Sequence, residues 1–122
     1  MSKAINWPEK YADEILKENK NEIKIALRLG TLYDENEYYK QDDIVNIRTG
    51  DKILRKAQIA CPTKTTKIKN IATSDLYRLK GDLHSNDSIV KFLTDTYNKK
   101  VDEETTVTII TYKNLDIVEE EA

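Results

Sequence analysis

The sequence predicts a small α+β barrel: about six strands, one N-terminal helix and two short helices before the last strand. Three observations lead there. Short β-rich runs recur between turn signals, two segments carry capped helical stripes, and 122 residues suffice for one core but not for two ordinary domains. The expected organisation is a single domain over residues 1–113 followed by an acidic tail over 114–122.

The elements follow in chain order. Lys3 to Asn6 is a short strand. In WPEKYADEILKENK, Pro8 suits a first helical turn, and Tyr11, Ile15, Ala12 and Leu16 form an apolar stripe. Glu22 to Leu29 alternates, with Ile23, Ile25, Leu27 and Leu29 on one face and Glu22, Lys24, Ala26 and Arg28 on the other. Gly30 ends that strand, and TLYDENEYYKQDD reads as an acidic, tyrosine-rich loop. DIVNIR and KILRKAQIA flank Thr49-Gly50-Asp51 as a hairpin, and TTKIKNI is the next strand. Ser74 is expected to cap SDLYRLK, and Ser85 to cap SNDSIVKFLTDTYNK, whose Ile89, Phe92, Leu93 and Tyr97 turn inward. TTVTIITYK is the closing strand, and VEEEA is expected to fray.

Composition excludes several chemistries. Cys61 is the only cysteine and His84 the only histidine, so a Cys/His zinc cage cannot be assembled, and no cofactor or metal is expected. Glycines at 30, 50 and 81 fit neither phosphate-cradling loops nor dinucleotide fingerprints. A Ser-His-Asp triad would need His84 beside Ser2, Ser74 or Ser88, without any elbow motif to support it. No run of 18 apolar residues exists and MSKAINWPEK has no signal-peptide core, so a cytoplasmic protein without membrane contact is expected.

Charge is unevenly distributed. Residues 1–43 carry seven Lys/Arg and ten Asp/Glu, residues 44–80 carry nine and two, and residues 81–122 carry four and ten. The net −2 therefore hides a middle third at +7. Such a segment can present a positive face on an acidic body, the footprint of a nucleic-acid binder. The residues expected to attach the ligand are Arg48, Lys52, Arg55, Lys56, Lys64, Lys67 and Lys69.

Taken together, YADEIL, ALRLG, YKQDDIVNI, KIKNIATSDL, HSNDSIVKFLTDTY and VTIITY resemble, in order and spacing, the ASCH family of the PUA-like superfamily over residues 4–113. The resemblance implies a small barrel with a cleft associated with RNA or nucleoside recognition. In that family the strand after the first helix commonly reads Lys-Thr and then Thr-x-Arg, lining the cleft. Arg28 matches its end, and Lys20 or Lys24 its lysine. The family's threonine position is Ala26, which has no hydroxyl, so the amidohydrolase chemistry of some ASCH proteins is not expected. Asp82 lies near the family glutamate and is expected as a polar cleft residue.

The expected function is RNA or other nucleic-acid binding, with Arg28 and Lys20 or Lys24 reading the ligand in the cleft, a modified nucleoside being among the ligands the resemblance implies. The basic strands would hold phosphates. Tyr33, with Tyr38 and Tyr39, could stack on bases. The alternatives are a small nucleoside-processing hydrolase, amidohydrolase-like or ribonuclease, using the same cleft, and a protein-interaction barrel with an acidic rim.

Overall fold

The computed structural model describes residues 3–118. The chain forms β1 (Lys3–Trp7), α1 (Ala12–Lys17), β2 (Ile23–Leu29), α2 (Leu32–Glu35), β3 (Ile44–Thr49), β4 (Lys52–Ile59), β5 (Lys64–Lys67), α3 (Thr73–Leu76), α4 (Asn86–Tyr97) and β6 (Thr106–Ile117). The strands form one mixed six-stranded sheet in the order β1-β3-β4-β6-β2, with β5 pairing to β6. That content is the small α+β barrel expected from the sequence.

Contacts divide the described chain into two compact units. The first comprises residues 3–24, 39–62 and 111–118. Here β1 pairs with β3 in parallel, Ile5 opposite Ile47, and β3 pairs with β4 antiparallel through the Thr49-Gly50-Asp51 turn. Gly50 has φ +57° and nothing within 4 Å of where a Cβ would sit, so the glycine answers a backbone demand and not a steric one. Ile5, Trp7, Tyr11, Ile15, Val45, Ile47 and Tyr112 are buried. Leu16, expected on the apolar stripe of α1, is instead exposed. A 3₁₀ turn over Glu9–Tyr11 precedes α1 and shortens the α-helix to six residues.

The second unit comprises residues 25–38 and 63–110. Its helix α4 starts as expected at Ser85, whose Oγ accepts the Ser88 N–H at 3.2 Å while the Ser88 hydroxyl accepts the Ser85 N–H. This reciprocal pair satisfies two donors that would otherwise lack intrahelical partners. Ile89 and Leu93 are fully buried. Three local expectations need correction. The acidic loop contains the one-turn helix α2. The strand β5 stops at Lys67, because Ile68 turns inward to begin a 3₁₀ turn. The residue capping α3 is Ala72, not Ser74.

Strand β6 runs to Ile117, four residues past the expected end at Lys113, so residues 114–117 are sheet. The remainder of the acidic tail, residues 119–122, lies outside the described residues. Among the described residues no helix is long and apolar enough to cross a membrane.

Candidate nucleic-acid interface

Strand β2 was expected to be half-exposed. Lys24 and Ala26 are instead as buried as Ile25 and Leu27. Lys24 tolerates burial because its ammonium lies 3.5 Å from the Glu18 carboxylate and 3.8 Å from that of Glu22. Lys20, by contrast, is exposed and bridges to Asp116 at 2.9 Å. Arg28 is half-buried, and its Nη1 donates to the Leu27 carbonyl at 2.9 Å. Asp82 sits exposed in a 3₁₀ turn, and the Ala26 methyl is fully enclosed.

Arg55 corrects the expected phosphate-binding set. Only 1% of it is exposed. Its Nη1 donates to the carbonyls of Ile15 (3.0 Å) and Glu18 (2.8 Å), and its Nη2 to that of Leu115 (2.6 Å). Ile15 lies in the last turn of α1 and Glu18 caps it. The guanidinium therefore closes a helix C-terminus, where free carbonyls and the negative end of the helix dipole both favour a cation. Both terminal nitrogens of its fork are occupied by backbone carbonyls, while its Nε is buried without a hydrogen-bond partner.

The other basic residues of the β3–β4 hairpin are shared with polar neighbours. Lys56 donates to the Asn46 side-chain oxygen at 2.6 Å, and Arg48 lies 3.8 Å from Asp51. Lys52 is exposed at the start of β4. A groove of about 500 Å³ in the same unit is lined by Glu18, Asn19, Lys20, Arg55, Leu115, Asp116 and Ile117. Its two carboxylates offset its two cations, so it has no preference for a phosphate.

A different balance holds along β5 and the turn after it. Glu104 receives two ammonium groups, Lys67 at 3.0 Å and Lys69 at 2.5 Å. Those two hydrogen bonds, the one from Lys69 first, hold the Glu104 carboxyl below its ordinary 4.5. Asp75 likewise faces two cations, Lys64 at 3.2 Å and Arg78 at 3.6 Å. In each cluster one carboxylate serves two positive groups whose side chains remain largely exposed, and Asp102 and Glu103 are exposed in the turn beside Glu104.

The backbone explains why these clusters form on one strand. Antiparallel pairing sets Lys64 opposite Ile109 and Lys67 opposite Thr106. Donation from the Ile68 and Lys69 N–H groups to the Thr105 and Glu103 carbonyls brings the basic strand over the acidic turn before β6. The sequence reading named Lys64, Lys67 and Lys69 but missed Arg78, Asp75 and Glu104. The i, i+3 spacing of Asp75 and Arg78 on a short helix was the available signal.

Next to β5 lies the segment carrying Tyr33. Thr63, the residue before β5, donates through Oγ1 to the Asp34 carboxylate of α2 at 2.8 Å. Tyr33 and Tyr38 are both exposed and meet edge to face with ring centroids 5.4 Å apart. Tyr39 departs from them: it is buried in the first unit and donates its hydroxyl to the Ala4 carbonyl at 2.7 Å, an anchoring role.

No family model and no curated protein matches the sequence. Solved structures do resemble the fold. A crystal structure of a DUF984 protein from Enterococcus faecalis V583 aligns with TM-score 0.66 and 11% identity, covering 96% of this chain and 78% of its own. A high-resolution crystal structure of an ASCH domain from Lactobacillus crispatus JV V101 aligns with TM-score 0.63 and 12% identity, covering 93% and 79%. By these alignments the chain has the fold of an ASCH-like domain.

Proposed function

We propose that the protein binds RNA, or another nucleic acid, through the exposed lysines of β5 and of the turn after it. The observation that carries this reading is the two-cations-per-carboxylate arrangement of Lys67 and Lys69 on Glu104 and of Lys64 and Arg78 on Asp75. Exposed ion pairs of this kind hold their partners weakly. All four cations stand largely in solvent, where a polyanion can replace their counterions and gain free energy from ion release. Arg28 remains a proposed contact and exposed Lys20 a separate one, whereas Lys24, buried against Glu18 and Glu22, is not. Arg48, Lys52 and Lys56 are proposed as auxiliary contacts of the hairpin. Tyr33 and Asp82 complete the set.

The test is fluorescence anisotropy of labelled RNA and DNA oligonucleotides across a salt series. Affinity should fall linearly on a log-log plot, with a slope near −0.7 for each phosphate contacted on a single strand. Lys67→Glu combined with Lys69→Glu should weaken binding about tenfold or more and flatten that slope. Absence of binding to any polynucleotide at low salt refutes the proposal.

A further inference from the structure

The segment between β2 and β3 exposes three large apolar side chains within seven residues: Leu32 at 68%, Tyr33 at 37% and Tyr38 at 41%. Soluble surfaces scatter such residues singly, and a cluster marks a place of contact. This one is also held in shape. The Tyr38 N–H donates to the Tyr33 carbonyl at 3.0 Å, closing the turn that brings the two rings together. Two separate ties fix it beside the basic strand. One is the bond from Thr63 to Asp34. The other runs through Gly30, whose N–H donates to the Thr106 carbonyl at 3.0 Å and whose carbonyl accepts from the Thr108 hydroxyl at 2.8 Å, on the stretch of β6 that pairs with β5.

We infer that Leu32, Tyr33 and Tyr38 form a base-stacking platform, so that the polynucleotide held by β5 is single-stranded. The inference rests on the nucleic-acid reading above and narrows it. Bases in a duplex are stacked on each other and offer no face to a tyrosine, whereas an unpaired strand exposes them. Charge fixes the orientation. Asp34, Glu35 and Glu37 accompany the aromatic rings and repel phosphates, while Lys64, Lys67 and Lys69 attract them. A single strand laid along this surface therefore turns its backbone to β5 and its bases to α2. Stacking tolerates every base, so the platform adds affinity without a strong sequence preference.

The experiment compares a labelled single-stranded RNA dodecamer, a duplex of the same length, a single-stranded DNA dodecamer and an abasic strand with the same phosphates. Each is titrated with wild-type protein and with Tyr33→Ala, Tyr38→Ala and Tyr33→Phe. The expected result is preference for the base-bearing single strands, about tenfold loss in each alanine variant, and retention in Tyr33→Phe. The salt slope should be unchanged, because no phosphate contact is removed. Equal binding of duplex, abasic and base-bearing strands, insensitive to the tyrosines, overturns the platform and leaves the basic strand standing. Binding to none of the probes overturns both. Self-association in light scattering that Tyr33→Ala and Tyr38→Ala abolish would assign the patch to a second copy of the chain and overturn it as well.

Discussion

Replacing Arg55 with methionine separates a structural arginine from a nucleic-acid-binding one. The substitution keeps an unbranched apolar stem of similar reach and removes the guanidinium, leaving the carbonyls of Ile15, Glu18 and Leu115 without their donor. A buried acceptor stripped of its partner costs about 1–3 kcal/mol. The Ile15 carbonyl keeps the Glu18 N–H at 3.3 Å, so the Glu18 and Leu115 carbonyls carry most of a gross loss of roughly 3–5 kcal/mol. Relief from burying a cation offsets part of this, giving a net destabilisation of about 2–4 kcal/mol. For a chain of this length that corresponds to a fall in Tm of about 8–15 °C. Circular dichroism melts read the shift, and anisotropy on labelled RNA well below the lowered Tm reads the affinity of the folded protein, which should match wild type. Arg55→Lys should fall between the two, because one ammonium cannot span three carbonyls arranged around a planar fork. A melting temperature within about 2 °C of wild type together with weakened RNA binding would refute this account, since such a small shift cannot accommodate three lost carbonyl bonds.

Three further outcomes concern Glu104 and Ser85. Glu104→Gln removes the carboxylate that Lys67 and Lys69 share, so affinity for a polyanion should rise severalfold in the same anisotropy assay, and an unchanged or weaker affinity would speak against that strand as the contact. In the free protein the Glu104 carboxyl is held below 4.5, so whatever stability it supplies is present above that pH and is lost as the pH falls through its lowered value; side-chain NMR titration should place its midpoint below 4.5. Ser85→Ala removes the acceptor of the Ser88 N–H and should cost about 1 kcal/mol in chemical denaturation, with a loss near zero refuting the cap.

The contrast between Ser85 and Arg55 shows what the sequence could reveal. The Ser85 cap is formed within three residues of itself, so the chain displays both partners side by side, and α4 begins where the pattern says it should. The partners of Arg55 are main-chain carbonyls 40, 37 and 60 positions away. Every residue has a carbonyl, so nothing in the string of letters distinguishes those three. In sequence Arg55 looks like Lys56, its equally basic neighbour, yet alternation along β4 buries one and leaves the other half-exposed. Lys24 misled for a related reason: a charged residue in an alternating strand reads as solvent-facing, and only the fold brings Glu18 to it. The lysines of β5 were legible as a basic run. Their sharing of carboxylates was not, because it depends on Glu104 and Asp75 arriving from other elements.

The parallel pairing of β1 with β3 sets a constraint on the order of assembly. Ile5 and Trp7 lie against a strand whose matching residues, Ile47 and Thr49, come more than forty positions later. Neither can take its sheet position while only the first part of the chain has been made. A tight hairpin closes as soon as its second arm appears, but this contact must first close a long loop, and that entropy is spent before the pairing returns anything. The beginning of the chain thus settles only once β3 exists, earlier than β2, which must wait for β6, and two of the most deeply buried side chains near its start stay uncovered until then.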